Sequence, residues 1–97
     1  MSEKKILGNV TNGTIPASWT EVLAANPRRL TLTFAGNLNS YEVRFGQSAD
    51  GSRTLIFAGS GQMTATFTRE TLGNLIGMSI WMQGGSGGWS IIETWEG

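Results

Sequence analysis

Three stretches of the chain alternate apolar and polar residues with a period of two. Their apolar positions are Leu30, Leu32 and Phe34, then Tyr41, Val43 and Phe45, and finally Met63, Ala65 and Phe67. Successive side chains of a β-strand point to opposite faces of a sheet, so the pattern predicts three strands with one buried face each. Threonine fills most intervening positions of the first and third stretches, and its β-branched side chain suits an exposed strand face.

Five further runs have a strand-like composition, at residues 5–10, 19–24, 53–58, 75–83 and 89–95. Turn-forming sequences separate the runs: AGNLNS, the pair Asp50-Gly51, AGSGQ, and QGGSGGW as a hairpin loop between the last two strands. About eight short strands with such turns predict an antiparallel all-β fold, a sandwich or a barrel. In RETLGNLIGM, Gly73 and Gly77 interrupt any helix, so only a single turn around residues 71–74 is expected.

The charge composition points away from nucleic acid and towards assembly. Charged residues make up 14% of the 97 positions, and seven basic residues balance seven acidic ones. A neutral chain has no long-range field to attract nucleic acid, and its copies repel each other little. No stretch is apolar enough to span a membrane, and no apolar run follows the N-terminal lysines as in a signal peptide. Synthesis in the cytoplasm is therefore expected.

The chain contains no cysteine and no histidine. This removes thiol nucleophiles, the usual general base and the common zinc ligands, so no enzyme activity and no cofactor are expected. The carboxylates Glu42 and Glu93 could face each other across strands, as in a glycosidase, but ordinary surface pairing with Arg44 or Arg69 is the favoured interpretation. Without disulfides, the stability of so small a domain must come from packing or oligomerisation.

Asn26-Pro27 precedes two arginines at the entry to the first alternating strand. Proline disfavours the helical conformation of the residue before it, so a turn is expected here. Arg28 and Arg29 are then either a solvated strand entry or, for one of them, the partner of a carboxylate on a neighbouring strand or subunit.

The segment VLAANPRRLTLTF resembles the "vLaaNpnRr…l.iqN" pattern of small structural proteins of tailed bacteriophages, although its Asn26-Pro27-Arg28 turn is tighter and its strand ends in FAGN. YEVRFGQSA resembles the following "v.vrfG..a" strand of those proteins, and SIIETWEG resembles their "v.v.EG" ending. The resemblance extends from about Thr20 to Gly97. It implies a compact β-sandwich, often jelly-roll-like and often trimeric, that serves as a capsid decoration (cement) protein, a head-fibre base or a tail-protein module.

Four tryptophans, at positions 19, 81, 89 and 95, are either core residues or part of an interaction surface. Trp89 shares a strand face with Glu93 and Trp95, whereas Trp81 lies on the opposite face from Ile80 and Met82. Both faces of the last strands are thus partly apolar, so one needs a cover: another subunit, a capsid, or a sugar bound to exposed indoles.

The expected protein is a jelly-roll-like β-sandwich over residues 6–97, preceded by a flexible arm over residues 1–5 that could add a strand to a neighbour. We expect a homotrimer that binds the major capsid protein or another virion protein on the capsid surface and stabilises the capsid. The alternative is a tail or head-fibre module that binds host-surface carbohydrate through paired indoles such as Trp89 and Trp95. The candidate interface residues are Ile6, Leu7, Arg28, Arg29, Trp81, Trp89 and Trp95.

Overall fold

The chain forms one antiparallel β-structure, which confirms the predicted all-β fold. The computed structural model describes residues 5–46 and 56–97. Its strands are β1 (Ile6–Thr14), β2 (Thr20–Leu23), β3 (Arg29–Phe45), β4 (Ile56–Thr68), β5 (Ile80–Gln83) and β6 (Gly87–Glu96). A short helix, α1 (Arg69–Leu72), and a 3-10 turn (Gly73–Gly77) lie between β4 and β5. All strand pairs in this part of the chain are antiparallel.

The 17-residue strand β3 is the centre of the sheet. The strand order is β1-β6-β3-β5-β2, and β4 pairs with β3 as well. The first half of β3 lies between β6 and β4, whereas its second half lies between β5 and β4. The sheet is therefore divided into a β1–β6 half and a β2–β5 half, joined by the long β3–β4 hairpin.

The two halves of β3 fold towards each other around one core. Phe34 and Phe45 are eleven positions apart, which corresponds to about 36 Å in an extended strand, yet their ring centroids are 6.2 Å apart. Both rings are fully buried and both also contact Phe67. The hairpin must bend for these contacts to form, so the two halves of β3 approach each other around this core. Assignment to a sandwich of the jelly-roll type stays a prediction.

The bend coincides with a β-bulge in β3. Leu38 pairs with Gly61 and Tyr41 with Gly59, so β3 advances three residues while β4 advances two. One extra residue changes which alternate positions face inward: Phe34 before the bulge and Val43 after it are both buried. A bulge of this kind bends the strand and increases its twist.

The structure has six strands in its described part, fewer than the eight predicted. The expected turns at AGNLNS and AGSGQ are wrong, because β3 and β4 continue through them. The expected hairpin at QGGSGGW is wrong as well: β5 and β6 do not pair with each other, and each pairs with β3. The predicted turn at Asp50-Gly51 lies outside the described residues.

The segment before β5 also differs from the prediction. The strand expected over residues 75–83 covers only Ile80–Gln83, since the 3-10 turn occupies Gly73–Gly77. The single helical turn expected near residues 71–74 is present as α1, which starts slightly earlier. Thr68 caps α1: its hydroxyl accepts a hydrogen bond from the Thr71 backbone, and the Thr71 side chain accepts one from the Thr68 backbone.

The N-terminal strand is longer than predicted, since β1 continues to Thr14. The carbonyl of Lys5 accepts a hydrogen bond from the Gly97 backbone at 2.7 Å. The rest of the predicted flexible arm, residues 1–4, lies outside the described residues. No helix in the described part of the chain has the length and hydrophobicity needed to cross a membrane.

Candidate functional site

Residues 26–29 form the tight turn that the sequence predicts before β3. The backbone N–H of Arg29 donates to the carbonyl of Asn26 at 3.0 Å, and the N–H of Arg28 donates to Oδ1 of Asn26 at 3.0 Å. Asparagine at the first position of a turn commonly makes such a side-chain bond. A further bond of 2.8 Å, from the Asn26 N–H to the Gly77 carbonyl, attaches this turn to the 3-10 turn.

Arg29 is fully buried, and its guanidinium binds four acceptors from three separate segments. Nε donates to Oε2 of Glu93 at 2.9 Å, and this contact is a salt bridge. Nη1 donates to the carbonyls of Ile76 (3.0 Å) and Met78 (2.8 Å), and Nη2 donates to that of Ala24 (2.7 Å). Arg29 thus connects β3 to β6, to the 3-10 turn and to the end of β2, a role that the planar, five-donor guanidinium suits.

A second bulge turns Arg29 inward. Arg29 pairs with Trp95 and Thr31 with Thr94, so β3 advances two residues while β6 advances one. With strict alternation Arg29 would share the outer face with Thr31 and Thr33; the extra residue puts it on the inner face, beside Glu93. The arginine–carboxylate pair to a neighbouring strand, one of the two interpretations of the sequence, is therefore present. Arg28, by contrast, is exposed, as expected of a solvated strand entry.

Burial corrects two of the predicted interface residues. Arg29 is held within its own chain, and Trp89 is only 6% exposed as part of the hydrophobic core. Neither side chain is available to a partner in this structure. The proposed sugar platform of coplanar, exposed Trp89 and Trp95 is wrong for the same reason. The sequence leaves Trp89 as either a core residue or an interface residue, and the structure shows a core residue.

The other predicted interface residues divide between two places in the sheet. Trp81 is half-buried, and its Nε1 donates to Oγ of Ser79 at 2.9 Å. Trp95 is half-buried and pairs with Leu7, which is also half-buried. Ile6 is 56% exposed at the start of β1. Ile6, Leu7 and Trp95 therefore lie together at one end of the β1–β6 pair, where the Arg28 carbonyl also accepts a hydrogen bond from the Glu96 backbone at 3.2 Å. Trp81 lies elsewhere, on β5.

Gly13 of β1 lies directly against the indole ring of Trp89. A Cβ on Gly13 would lie 2.6 Å from a ring carbon of Trp89, which is buried and has no room to retreat. We expect Gly13→Ala to lower the free energy of unfolding by about 1–3 kcal/mol, as overpacking does. Gly88→Ala is the control: its Cβ would meet its nearest neighbour at an ordinary 3.7 Å. Urea denaturation measures both, and an equal loss in the two variants would contradict the role of the ring.

Glu42 and Glu93 do not face each other as a carboxylate pair. Glu93 binds Arg29, whereas Glu42 accepts a hydrogen bond from Nε2 of Gln83 at 2.7 Å. The structure thus pairs these carboxylates with Arg29 and Gln83, and not with Arg44 or Arg69 as expected. Arg44 is instead stacked on Trp19, with its Cζ 4.2 Å from the ring centroid.

A cleft of about 490 Å³ lies between the 26–29 turn and the 3-10 turn. Its described lining is mostly apolar or small, and Arg69 is the charged group that it contains. Arg69 also donates to the carbonyl of Pro27. A nucleophile with an adjacent base is not found among these described lining residues.

The outer face of the β1–β6 half has a distinct composition. Paired residues of neighbouring strands form rows of side chains across β1, β6, β3 and β4. One such row contains Val10, Ile92, Thr33 and Thr66. Val10 is 54% exposed and Ile92 44% exposed. The neighbouring row contains hydroxyl pairs such as Thr31 and Thr94, whose Oγ1 atoms are 2.6 Å apart. The threonine face follows from the alternating sequence pattern, whereas this apolar centre depends on the register of β1 against β6, which the sequence does not show.

No family model matches the chain, and no curated protein matches it. Among solved structures, it is similar to one described as "Bacillus endospore appendages form a novel family of disulfide-linked pili", with a TM-score of 0.57 and 13% identity over 98% of this chain and 91% of that one. It is also similar to Peruvianin-I, a cysteine peptidase from Thevetia peruviana latex, with a TM-score of 0.52 and 12% identity. That match covers 90% of this chain but 48% of Peruvianin-I. At these identities the likeness concerns the fold alone.

Proposed function

We propose that the chain is a structural protein of a tailed-bacteriophage virion, most specifically a capsid decoration protein that acts as a homotrimer. The observation that carries the proposal of an assembling protein is the exposed, adjacent apolar pair of Val10 and Ile92 on the outer face, because exposed apolar patches commonly mark interaction sites. The phage assignment depends on the sequence resemblance. The similarity in fold to a subunit of pilus-like spore appendages adds support for a structural role.

The proposed action is mechanical and uses no cofactor. A protein that binds the assembled lattice but not the separated subunits stabilises the lattice by mass action, by about 2.7 kcal/mol at a concentration of 100 times the dissociation constant. The buried connections made by Arg29 suit this role, since they hold β3, β6 and the 3-10 turn rigidly together. No catalysis is proposed, because the chain has no histidine or cysteine to activate a nucleophile.

Capsid melting tests the proposal. Capsids assembled from the major capsid protein of the parent phage, without decoration, should melt at a higher temperature after addition of the purified chain. The control is the unassembled capsid protein, whose melting should not change because it lacks the lattice site. Equal melting of capsids with and without the chain would contradict a decoration function.

A further inference from the structure

β1 is an edge strand that lacks the features by which proteins normally prevent edge strands of different molecules from pairing. Within the part of the chain that the structure describes, it pairs with β6 on one side and is last in the strand order. Its sequence, ILGNVTNGT, spans nine residues and contains neither a charged residue nor a proline. Long edge strands that lack charges, prolines and cover are templates for pairing with another chain.

The outer side chains of β1 and β6 are self-complementary. Val10 lies directly opposite Ile92, and both point outward, since the alternate residues Trp89, Ile91 and Glu93 of β6 are buried. Val10 is also the central residue of β1. An antiparallel copy of β1 centred on Val10 would pair all nine residues and place the partner's Val10 beside this one.

We propose that β1 is a docking edge for a second copy of this chain, which pairs β1 with β1 antiparallel across a two-fold axis through Val10. The contact joins four β-branched side chains in one row, Ile92 and Val10 from each copy, and such cross-strand neighbours stabilise sheets. A second copy suits this edge because neither β1 strand carries a charge and the chain has no net charge. A charged partner would gain nothing from this uncharged edge.

The contact is small, and this determines its strength. Nine paired residues extend about 30 Å along the strands, which puts the interface among the weak associations of limited area. Dimerisation should therefore depend on concentration in the micromolar range. The pairing goes beyond the proposed decoration function and does not rest on it. If a trimer also forms through another surface, the β1 contact links trimers into larger assemblies.

Disulfide trapping tests the contact and its register, because the chain has no cysteine of its own. Val10→Cys should form a disulfide-linked dimer under mild oxidation, since directly opposed residues of an antiparallel pair have Cα atoms about 4.5–5.5 Å apart. Asn12→Cys is the matched control on the same face of β1. Its two thiol-bearing residues would be offset by four positions, about 13 Å, which is too far for a disulfide.

A charge variant provides a second readout. Val10→Lys would place two ammonium groups side by side at the two-fold axis, so native mass spectrometry should show loss of the dimers, or of larger assemblies in favour of trimers. Thr64→Lys adds the same charge to the same outer face at β4 and should leave the oligomers unchanged. Circular dichroism checks that both variants are folded.

The proposal is wrong if Val10→Cys forms no dimer at concentrations up to the millimolar range, if Asn12→Cys forms dimers equally fast, or if Val10→Lys leaves the oligomers unchanged. These results are separate from the capsid test. If Val10→Cys forms the disulfide-linked dimer but the chain does not stabilise capsids, only the decoration function is refuted. If the chain stabilises capsids but Val10→Cys forms no dimer, only the β1 pairing is refuted.

Discussion

Replacement of Arg29 by alanine is expected to lower the free energy of unfolding by about 3–5 kcal/mol, as the loss of one partner from a buried ion pair does. The change leaves the carboxylate of Glu93, which is 8% exposed, without its cation. It also removes the donors to the carbonyls of Ala24, Ile76 and Met78. A domain of this size has about 5–15 kcal/mol of stability in total, so the variant should lose a large share of it. Guanidinium chloride denaturation measures the loss.

Arg28→Ala is the matched control, because Arg28 is the exposed neighbour in the same turn. Its effect should stay within about 0.5 kcal/mol, as for most surface substitutions. If Arg29→Ala does not fold, Arg29→Lys should give a folded protein of intermediate stability, since it keeps the charge but not the fork of donors. Similar stabilities of the Arg28 and Arg29 alanine variants would refute the central role of Arg29.

Phe34→Ala should cost about 3–5 kcal/mol, the usual effect of deleting a buried aromatic ring. Phe34 is fully buried, with its ring centroid 6.2 Å from that of Phe45 and 5.8 Å from that of Phe67. It therefore joins both halves of the bent β3–β4 hairpin, and its loss leaves a cavity between them. Thermal or urea unfolding followed by tryptophan fluorescence measures the change.

Two control variants test whether the loss of stability comes from the Phe34 ring. Phe34→Leu keeps an apolar side chain in the same space and should cost clearly less than Phe34→Ala. Thr64→Ala, on the exposed face of the neighbouring strand β4, should change the stability by no more than about 0.5 kcal/mol. An alanine variant at position 34 as stable as the leucine variant would argue against the packing of the two halves through this ring.

Only part of the outer surface of the sheet could be predicted from the pattern of residues along the chain. The threonine positions of β3 and β4 were correctly predicted to share a face, since alternation decides this locally. The exposed pair of Val10 and Ile92 was missed, because it forms only when β1 and β6 are aligned in a particular register. The sequence left two interpretations for Trp89, core or interface, and two for Arg29, a solvated strand entry or the partner of a carboxylate. The burial of both side chains and the contact of Arg29 with Glu93 decide between them.

The sequence by itself determined the antiparallel all-β class and the inner and outer faces of the alternating segments. The period of two is a local property, and burial of Leu32, Phe34 and Val43 follows it. The pattern also shows that the inward-facing residues have even numbers up to Phe34 and odd numbers from Tyr41 to Phe45. Only the tertiary structure decided that this change is a bulge in one continuous strand, and that a second bulge turns Arg29 inward to Glu93. The physical reason is that a bulge is a mismatch between two paired strands, so it depends on a partner distant in the sequence.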